Sequence, residues 1–243
     1  LSFTVTETAF QGMGELYRGK VRDCYRKGDR MILISTDRLS AFDRILTTIP
    51  WKGEVLTRCA VWWFERTADL IENHVTSYPD PNVVVARACK IIPIEVVVRG
   101  RLAGSAWRDY QRGQPVSGIQ LPKGMRFGEE FPEPMLTPST KAAHDAHDEP
   151  ISEHELVRAG VVSPAVWGAI REAARALFER GSQILRERGL CLSLASSRGD
   201  SSLRMSSTPS IAQESGVWIR WRTRFVRDAN LRCSIRSLSA SGF

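Results

Sequence analysis

The chain has 243 residues, 42% apolar and 25% charged, with 34 basic against 27 acidic side chains and a net charge of +7. That length can bury a core without disulfide staples, and ordinary glycine (18) and proline (12) contents exclude collagen-like, mucin-like and wholly disordered chains. No run approaches the roughly 18 to 20 apolar residues of a membrane span, and the start LSFTVTETAF has no basic stretch before an apolar one, so a soluble protein without membrane partners is expected.

Cys24, Cys59, Cys89, Cys191 and Cys233 are widely spaced and form no C-x-x-C pair. Free thiols in a reducing, cytoplasmic setting are expected, not zinc or redox chemistry. The charge is unevenly spread. Residues 191–243 hold eight Arg, no Lys and three acids (Asp200, Glu214, Asp228), with 13 Ser among 53 residues, so this stretch supplies +5 of the +7. The first 190 residues are nearly neutral, which disfavours nucleic acid as a partner for most of the chain and leaves it as a question for the tail.

In chain order, residues 15–35 give two strand-like runs around the turn triplet Lys27-Gly28-Asp29 and predict a β-hairpin. Between 53 and 72, Val55, Leu56, Cys59, Trp62, Trp63, Leu70 and Ile71 recur at three- and four-residue intervals, predicting a helix with a broad buried face and the Trp pair in the core. Residues 83–85 and 94–98 are β-branched runs flanking Pro93 and predict two strands with a bend or edge at the proline. A short helix is expected over 104–110. A long one is expected over 164–188, with Ser163 as N-cap, Pro164 in the first position, Gly181 as a candidate bend and Gly189 as the stop. Early strands and a late helix, without internal repeats, give an α+β layout. The expected parts are 1–85, β-rich; 86–190, with the long helix; and a Ser/Arg-rich tail over 191–243, where 217–221 could form a short strand.

Several segments carry chemistry. Arg18-Gly19-Lys20 combines a glycine, which lets backbone approach a phosphate, with a point charge. There is no G-x-x-x-x-G-K-[ST], so a nucleotide would sit under a β-hairpin flap and not on a P-loop. Arg99-Gly100-Arg101-Leu102-Ala103-Gly104-Ser105 ends a strand in arginine and opens a helix, an arrangement that suits an anion. Residues 137–149 crowd hydroxyls, Lys141, His144, His147 and three acids into a polar loop suited to substrate. The His144 and His147 spacing lacks a fixed third metal ligand.

Taken in order, LYRGKVRDCY (16–25), STDRLSAFD (35–43), PWKGEVLTRCAVWWFE (50–65), IPIEVVVRGRLAGSAWRDY (92–110), LPKGM (121–125) and EPMLTPSTKAAHDAHDEPIS (133–152) resemble the SAICAR synthetase (phosphoribosylaminoimidazole-succinocarboxamide synthase) family, over roughly residues 10–190. The resemblance implies an α+β, two-part fold whose N-terminal β-rich part binds ATP under a flap related to those of ATP-grasp or kinase-like proteins. It implies an ATP-dependent ligase of purine (IMP) biosynthesis that joins L-aspartate to carboxyaminoimidazole ribonucleotide, forming SAICAR, ADP and phosphate, with Mg2+ and cationic side chains offsetting the anionic charge. By similarity, Gly19, Lys20, Val21 and Arg22 belong to the hairpin over ATP, and Arg99, Gly104 and Ser105 to the site for the ribose 5′-phosphate. Lys141 lies near the transferring phosphoryl group, and His147 and Asp148 in the substrate loop. Ser35, Asp37, Arg38, Ser40 and Asp43 match a motif near the cleft without individual roles. Oligomeric state is left open.

Trp51 stands where the family usually has Asn, and Ala60 where it usually has Ser. The large departure is the tail: after Gly189-Leu190 the family continues with Asp-x-Lys-x-Glu-Phe-Gly and later Thr-Pro-Asp-Ser-Ser-Arg, whereas CLSLASSRGDSSLRMSSTPS has neither. The acids of those motifs are the expected Mg2+ ligands, so 191–243 offers no assignable metal ligand and the chain is expected to be impaired. A non-catalytic nucleotide- or nucleic-acid-binding relative is the alternative, and a kinase-like phosphotransferase would need a base and acidic metal ligands that the sequence does not offer. A Ser/Arg-rich, Lys-free stretch that begins where a motif should is what a GC-rich gene read out of frame produces. Translating the other two frames of the coding DNA from about codon 190 is expected to recover Asp-x-Lys-x-Glu-Phe-Gly, and its absence from both would point to a true replacement of this segment.

Overall fold

The computed structural model describes residues 4–41, 44–140, 149–200 and 217–218. The chain forms two compact units, one built on Leu1–Ile91 and one on Ile92–Gly199. In the first, strands β1 (Glu15–Arg18), β2 (Arg22–Lys27) and β3 (Arg30–Ser35) precede the short pair β4 (Arg38–Ala41) and β5 (Arg44–Thr48), helix α1 (Lys52–Arg66), and strands β6 (Val75–Asp80) and β7 (Val83–Arg87). The sheet order is β1-β2-β3-β7-β6, with every neighbouring pair antiparallel. The expected hairpin around Lys27-Gly28-Asp29 is β2–β3, with Tyr25 opposite Ile32 and Cys24 opposite Leu33. A third strand, β1, extends it and places Gly19-Lys20-Val21 in the turn between β1 and β2. Tyr25, Ile34 and Val85 are buried on one face of the sheet, and Val84 and Ala86 on the other. The Tyr25 hydroxyl stays hydrogen-bonded, 2.9 Å from Thr8 Oγ1 and accepting from Phe10 N at 3.0 Å.

Helix α1 differs from expectation. It stops at Arg66, and its buried residues are Gly53 and Thr57, while Val55, Leu56 and Cys59 are exposed and Trp62 and Trp63 only half-buried. The cause is polar seating. Asp37 Oδ1 accepts the Gly53 N–H at 2.9 Å, and Thr57 Oγ1 donates to Ser35 Oγ at 2.9 Å. A Cβ on Gly53 would collide with the Ser35 carbonyl, so glycine is what lets the helix start against β3. The helix is thus turned by hydrogen bonds and not by its apolar stripe, and Ile45, Leu46, Ile49, Trp51, Val55 and Leu56 stand exposed. Trp62 and Trp63 meet edge-on at 4.8 Å, and Arg66 lies over the Trp62 ring at 3.7 Å.

The second unit contains β8 (Ile91–Arg101), α2 (Ser105–Gln111), β9 (Glu130–Thr140), β10 (Glu149–Pro150), α3 (Glu153–Arg158), α4 (Pro164–Arg186), β11 (Leu194–Asp200) and β12 (Val217–Trp218), with sheet order β10-β9-β8-β11-β12. Pro93 lies within β8, immediately before the first β9 partner, Ile94, where the ladder needs no N–H from it. Ile94, Val96, Val98 and Gly100 are buried in alternation with the half-buried Val97, Arg99 and Arg101, the period of a strand with one covered face. Gly100 lies so close to Phe178 of α4 that a Cβ would come within 2.7 Å of its ring. Helix α4 takes Ser163 as N-cap, the hydroxyl accepting from Val166 N at 3.3 Å, and buries Trp167, Ile170, Ala173, Ala174, Leu177, Phe178, Gly181 and Leu185. Helix α3 starts with a Ser152–Glu155 capping box. Two other readings change. Residues 137–140, taken with the polar loop, are the end of β9. Leu192, Ser193 and Ala195, assigned to the tail, are buried, and the Gly100 N–H donates to the Ser193 carbonyl at 2.9 Å.

Trp51, ahead of α1, has φ 66° and ψ 1°, the left-handed region in which Asn is tolerated and a bulky L side chain is not. Its ring is 67% exposed, so little packing is lost on replacement. Trp51→Asn is expected to raise unfolding stability by about 1 kcal/mol, measured by urea denaturation.

Candidate functional site

In the first unit the Gly19-Lys20-Val21 turn is closed by the Gly19 N–H donating to the Arg22 carbonyl at 2.8 Å. Lys20 and Arg22 are exposed, and Gly19 and Val21 half-buried. Arg38 lies beneath, 4% exposed. Its Nη2 donates to the Gly19 carbonyl and to Asp23 Oδ1, each at 2.8 Å, its Nε to the Lys20 carbonyl at 3.2 Å, and its Nη1 to the Thr6 carbonyl at 2.6 Å. Asp23 is 0% exposed and also accepts from Thr8 N at 2.6 Å and Thr8 Oγ1 at 2.9 Å. Burial pushes its carboxyl up, but the bonds from Arg38 and Thr8 outweigh this and hold it below the usual carboxylate range.

The STDR segment is therefore framework. Ser35, Asp37 and Arg38 are buried, and Asp37 Oδ2 accepts from Val5 N at 2.8 Å while Lys52 Nζ donates to the Arg38 carbonyl at 2.9 Å. The family resemblance sets these residues near a cleft without individual roles; the sequence signal of their framework role is the adjacency of two charged residues to buried strands, where a charge requires partners. Asp43 lies outside the described residues.

In the second unit Arg99 is half-buried on β8. Its Nη2 donates to Ser105 Oγ at 3.0 Å and its Nε to Thr137 Oγ1 at 3.1 Å. Thr137 in turn donates to the Val97 carbonyl at 2.9 Å, which fixes its hydroxyl for the guanidinium. Gly104, the residue before α2, has φ 65° and ψ −129°, a conformation that glycine alone adopts cheaply. The geometry thus brings Arg99, Gly104 and Ser105 together and adds Thr137, to which the sequence reading gave no role of its own. Helix α2 has only 7 residues, so the guanidinium and two hydroxyls, more than a helix dipole, define this polar set. Lys141, His147 and Asp148, with His144, lie outside the described residues. Among the described residues no three His, Cys, Asp or Glu side chains converge to hold a cation. No described helix is long and apolar enough to cross a membrane.

Among the described residues, a sheet with one helix carries a glycine turn over a buried guanidinium in one unit, and a sheet with three helices carries an arginine with two hydroxyls in the other: this is a two-unit α+β protein. The sequence model of SAICAR synthetase matches residues 15–193, and the chain belongs to the SAICAR synthetase family. It is 44% identical over 197 residues to phosphoribosylaminoimidazole-succinocarboxamide synthase of Legionella pneumophila (strain Paris), a match covering 79% of this chain and 62% of that protein. It is 47% identical over 195 residues to the putative phosphoribosylaminoimidazole-succinocarboxamide synthase 2 of Mesorhizobium japonicum, covering 78% and 62%. The chain thus spans about 62% of the length of these curated relatives. The fold matches SAICAR synthase from Saccharomyces cerevisiae complexed with SAICAR with a TM-score of 0.74 at 27% identity, over 92% of this chain and 82% of that one. The mixed α and β architecture is that of the SAICAR synthases.

His74 supplies a pH test of the first unit. It is 4% exposed and set edge-on to Phe64 at 6.1 Å. Burial first, then the positive charges of Arg22 and Arg87, lower its pKa from 6.5 to about 2. The depressed value means that below pH 6.5 the unfolded chain takes up a proton that the folded chain refuses. Stability present above pH 6.5 is lost as pH falls toward 2, by up to about 1.4 kcal/mol per pH unit. His74→Gln is expected to remove that one-proton slope between pH 6 and 4, read by urea unfolding at stepped pH; an unchanged slope would show that His74 does not resist protonation.

Proposed function

We propose that this chain binds ATP at the Gly19-Lys20-Val21-Arg22 turn and the 5′-phosphate of carboxyaminoimidazole ribonucleotide at Arg99, Gly104 and Ser105, in the service of ATP-dependent amide formation with L-aspartate. A carboxylate is a poor acyl donor. Transfer of the γ-phosphoryl group to it gives an acyl phosphate, which the aspartate amine attacks with loss of phosphate, leaving SAICAR and ADP. No covalent enzyme nucleophile is required. Lys20 supplies positive charge to the triphosphate, Arg99 neutralises and orients the ribose phosphate, and Lys141 lies by the transferring group with His147 and Asp148 in the substrate loop. The β-hairpin acts as a flap of the ATP-grasp or kinase-like kind, and the setting is cytoplasmic.

The observation that carries this reading is the family match over 15–193, which takes in both the turn and the Arg99 set. It does not favour a nucleic-acid-binding relative. Mg2+ offsets triphosphate charge in this chemistry, and the acidic family motifs expected to bind it are missing from 191–243. Binding is therefore retained and turnover impaired.

Calorimetric titration with ATP and with carboxyaminoimidazole ribonucleotide is expected to show both binding. Arg99→Met is expected to weaken the ribotide by about 10- to 100-fold, the worth of a charge-assisted phosphate contact, and to leave ATP affinity unchanged. Failure of both ligands to bind would overturn the reading. ADP release at the rate of full-length relatives would overturn the impairment alone.

A further inference from the structure

Three consecutive carbonyls of the β1–β2 turn face the interior of the first unit. Those of Gly19 and Lys20 accept from the Arg38 guanidinium, and that of Val21 accepts from both N and Oγ1 of Thr36 at 3.0 Å. In a trans peptide the C=O and the following N–H point in opposite directions, and the described peptides are all trans. The Lys20 and Val21 N–H groups are accordingly aimed away from Arg38. A planar guanidinium can span acceptors on separate segments, here 6, 19, 20 and 23, whereas an ammonium presents its donors from one atom.

We infer that Arg38 is the positioning residue of this turn: by holding the Gly19 and Lys20 carbonyls inward it presents the Lys20 and Val21 amides outward, as donors for a phosphate of the nucleotide. Arg38 itself touches no ligand. The inference rests on the nucleotide reading above. Asp23, bonded to Arg38 and Thr8, keeps the guanidinium charge compensated and has no bond to the turn carbonyls.

The test compares Arg38→Lys, Asp23→Asn and the paired variant Asp23→Asn with Arg38→Gln, which leaves no charge buried should Arg38→Lys fail to fold. ATP affinity is measured by calorimetry, stability by urea midpoint, and the turn by the 1H–15N resonances of Lys20 and Val21 with and without ATP. Arg38→Lys and the paired variant are expected to weaken ATP by about tenfold or more and to move both amide resonances even without ATP. Asp23→Asn is expected to lower the urea midpoint yet keep ATP affinity within about twofold. In the wild type, ATP is expected to shift the Lys20 and Val21 amides. The inference is overturned if ATP binds without moving them, if the Arg38 variants keep wild-type affinity, or if Asp23→Asn loses as much affinity as Arg38→Lys, since the effect would then be general loosening. A wild type that binds no ATP would instead sink the nucleotide reading, and the ligand-free amide resonances would then decide the clamp alone.

Discussion

A guanidinium removed from water is costly unless its donors and its charge are matched, and Arg38 meets both conditions at once. Its partners come from places distant in sequence: Thr6 ahead of the sheet, Gly19 and Lys20 in the turn, and Asp23 on β2. Its own carbonyl accepts from Lys52 at the start of α1. The neighbouring Asp37 ties Val5 to Gly53 in the same way. Two adjacent charged residues therefore fasten segment, turn, sheet and helix to one another. A loop held like this surrenders little entropy when a ligand arrives.

Arg99 puts the same kind of side chain to the opposite use. It projects from the less covered side of β8, is only half-buried, and is held by hydroxyls that remain neutral. Asp23 compensates the Arg38 charge, whereas the hydroxyls of Ser105 and Thr137 orient the plane of the Arg99 guanidinium. Burial and the nature of the acceptor separate a buried, charge-paired guanidinium from a half-buried one oriented by hydroxyls.

What could be read from the sequence follows the range of the forces involved. The β2–β3 hairpin, β7, β8, α2 and α4 were legible because turn residues, β-branched runs and a Ser-Pro cap act over a few residues. The strand-to-helix passage from Arg99 to Ser105 was legible for the same reason, whereas the bond between their side chains is shown only by the fold. The facing of α1 was not, because it is set by Asp37 and Ser35, sixteen and twenty-two positions away, which outweigh an apolar stripe that points elsewhere. The roles of Asp23 and Arg38 were hidden likewise: each charge alone reads as a solvated surface residue, and only the fold shows that they meet in the interior.

The seating of α1 through polar contacts leaves Ile45, Leu46, Ile49, Trp51, Val55 and Leu56 in water on a native molecule. Exposed apolar side chains, where they adjoin, are what environment-sensitive dyes and phenyl-bearing chromatography media bind on a native protein. Anilinonaphthalene fluorescence would accordingly start high for this protein and give a poor measure of its denaturation, and kosmotropic salt, which strengthens apolar association, would be an unfavourable choice of buffer.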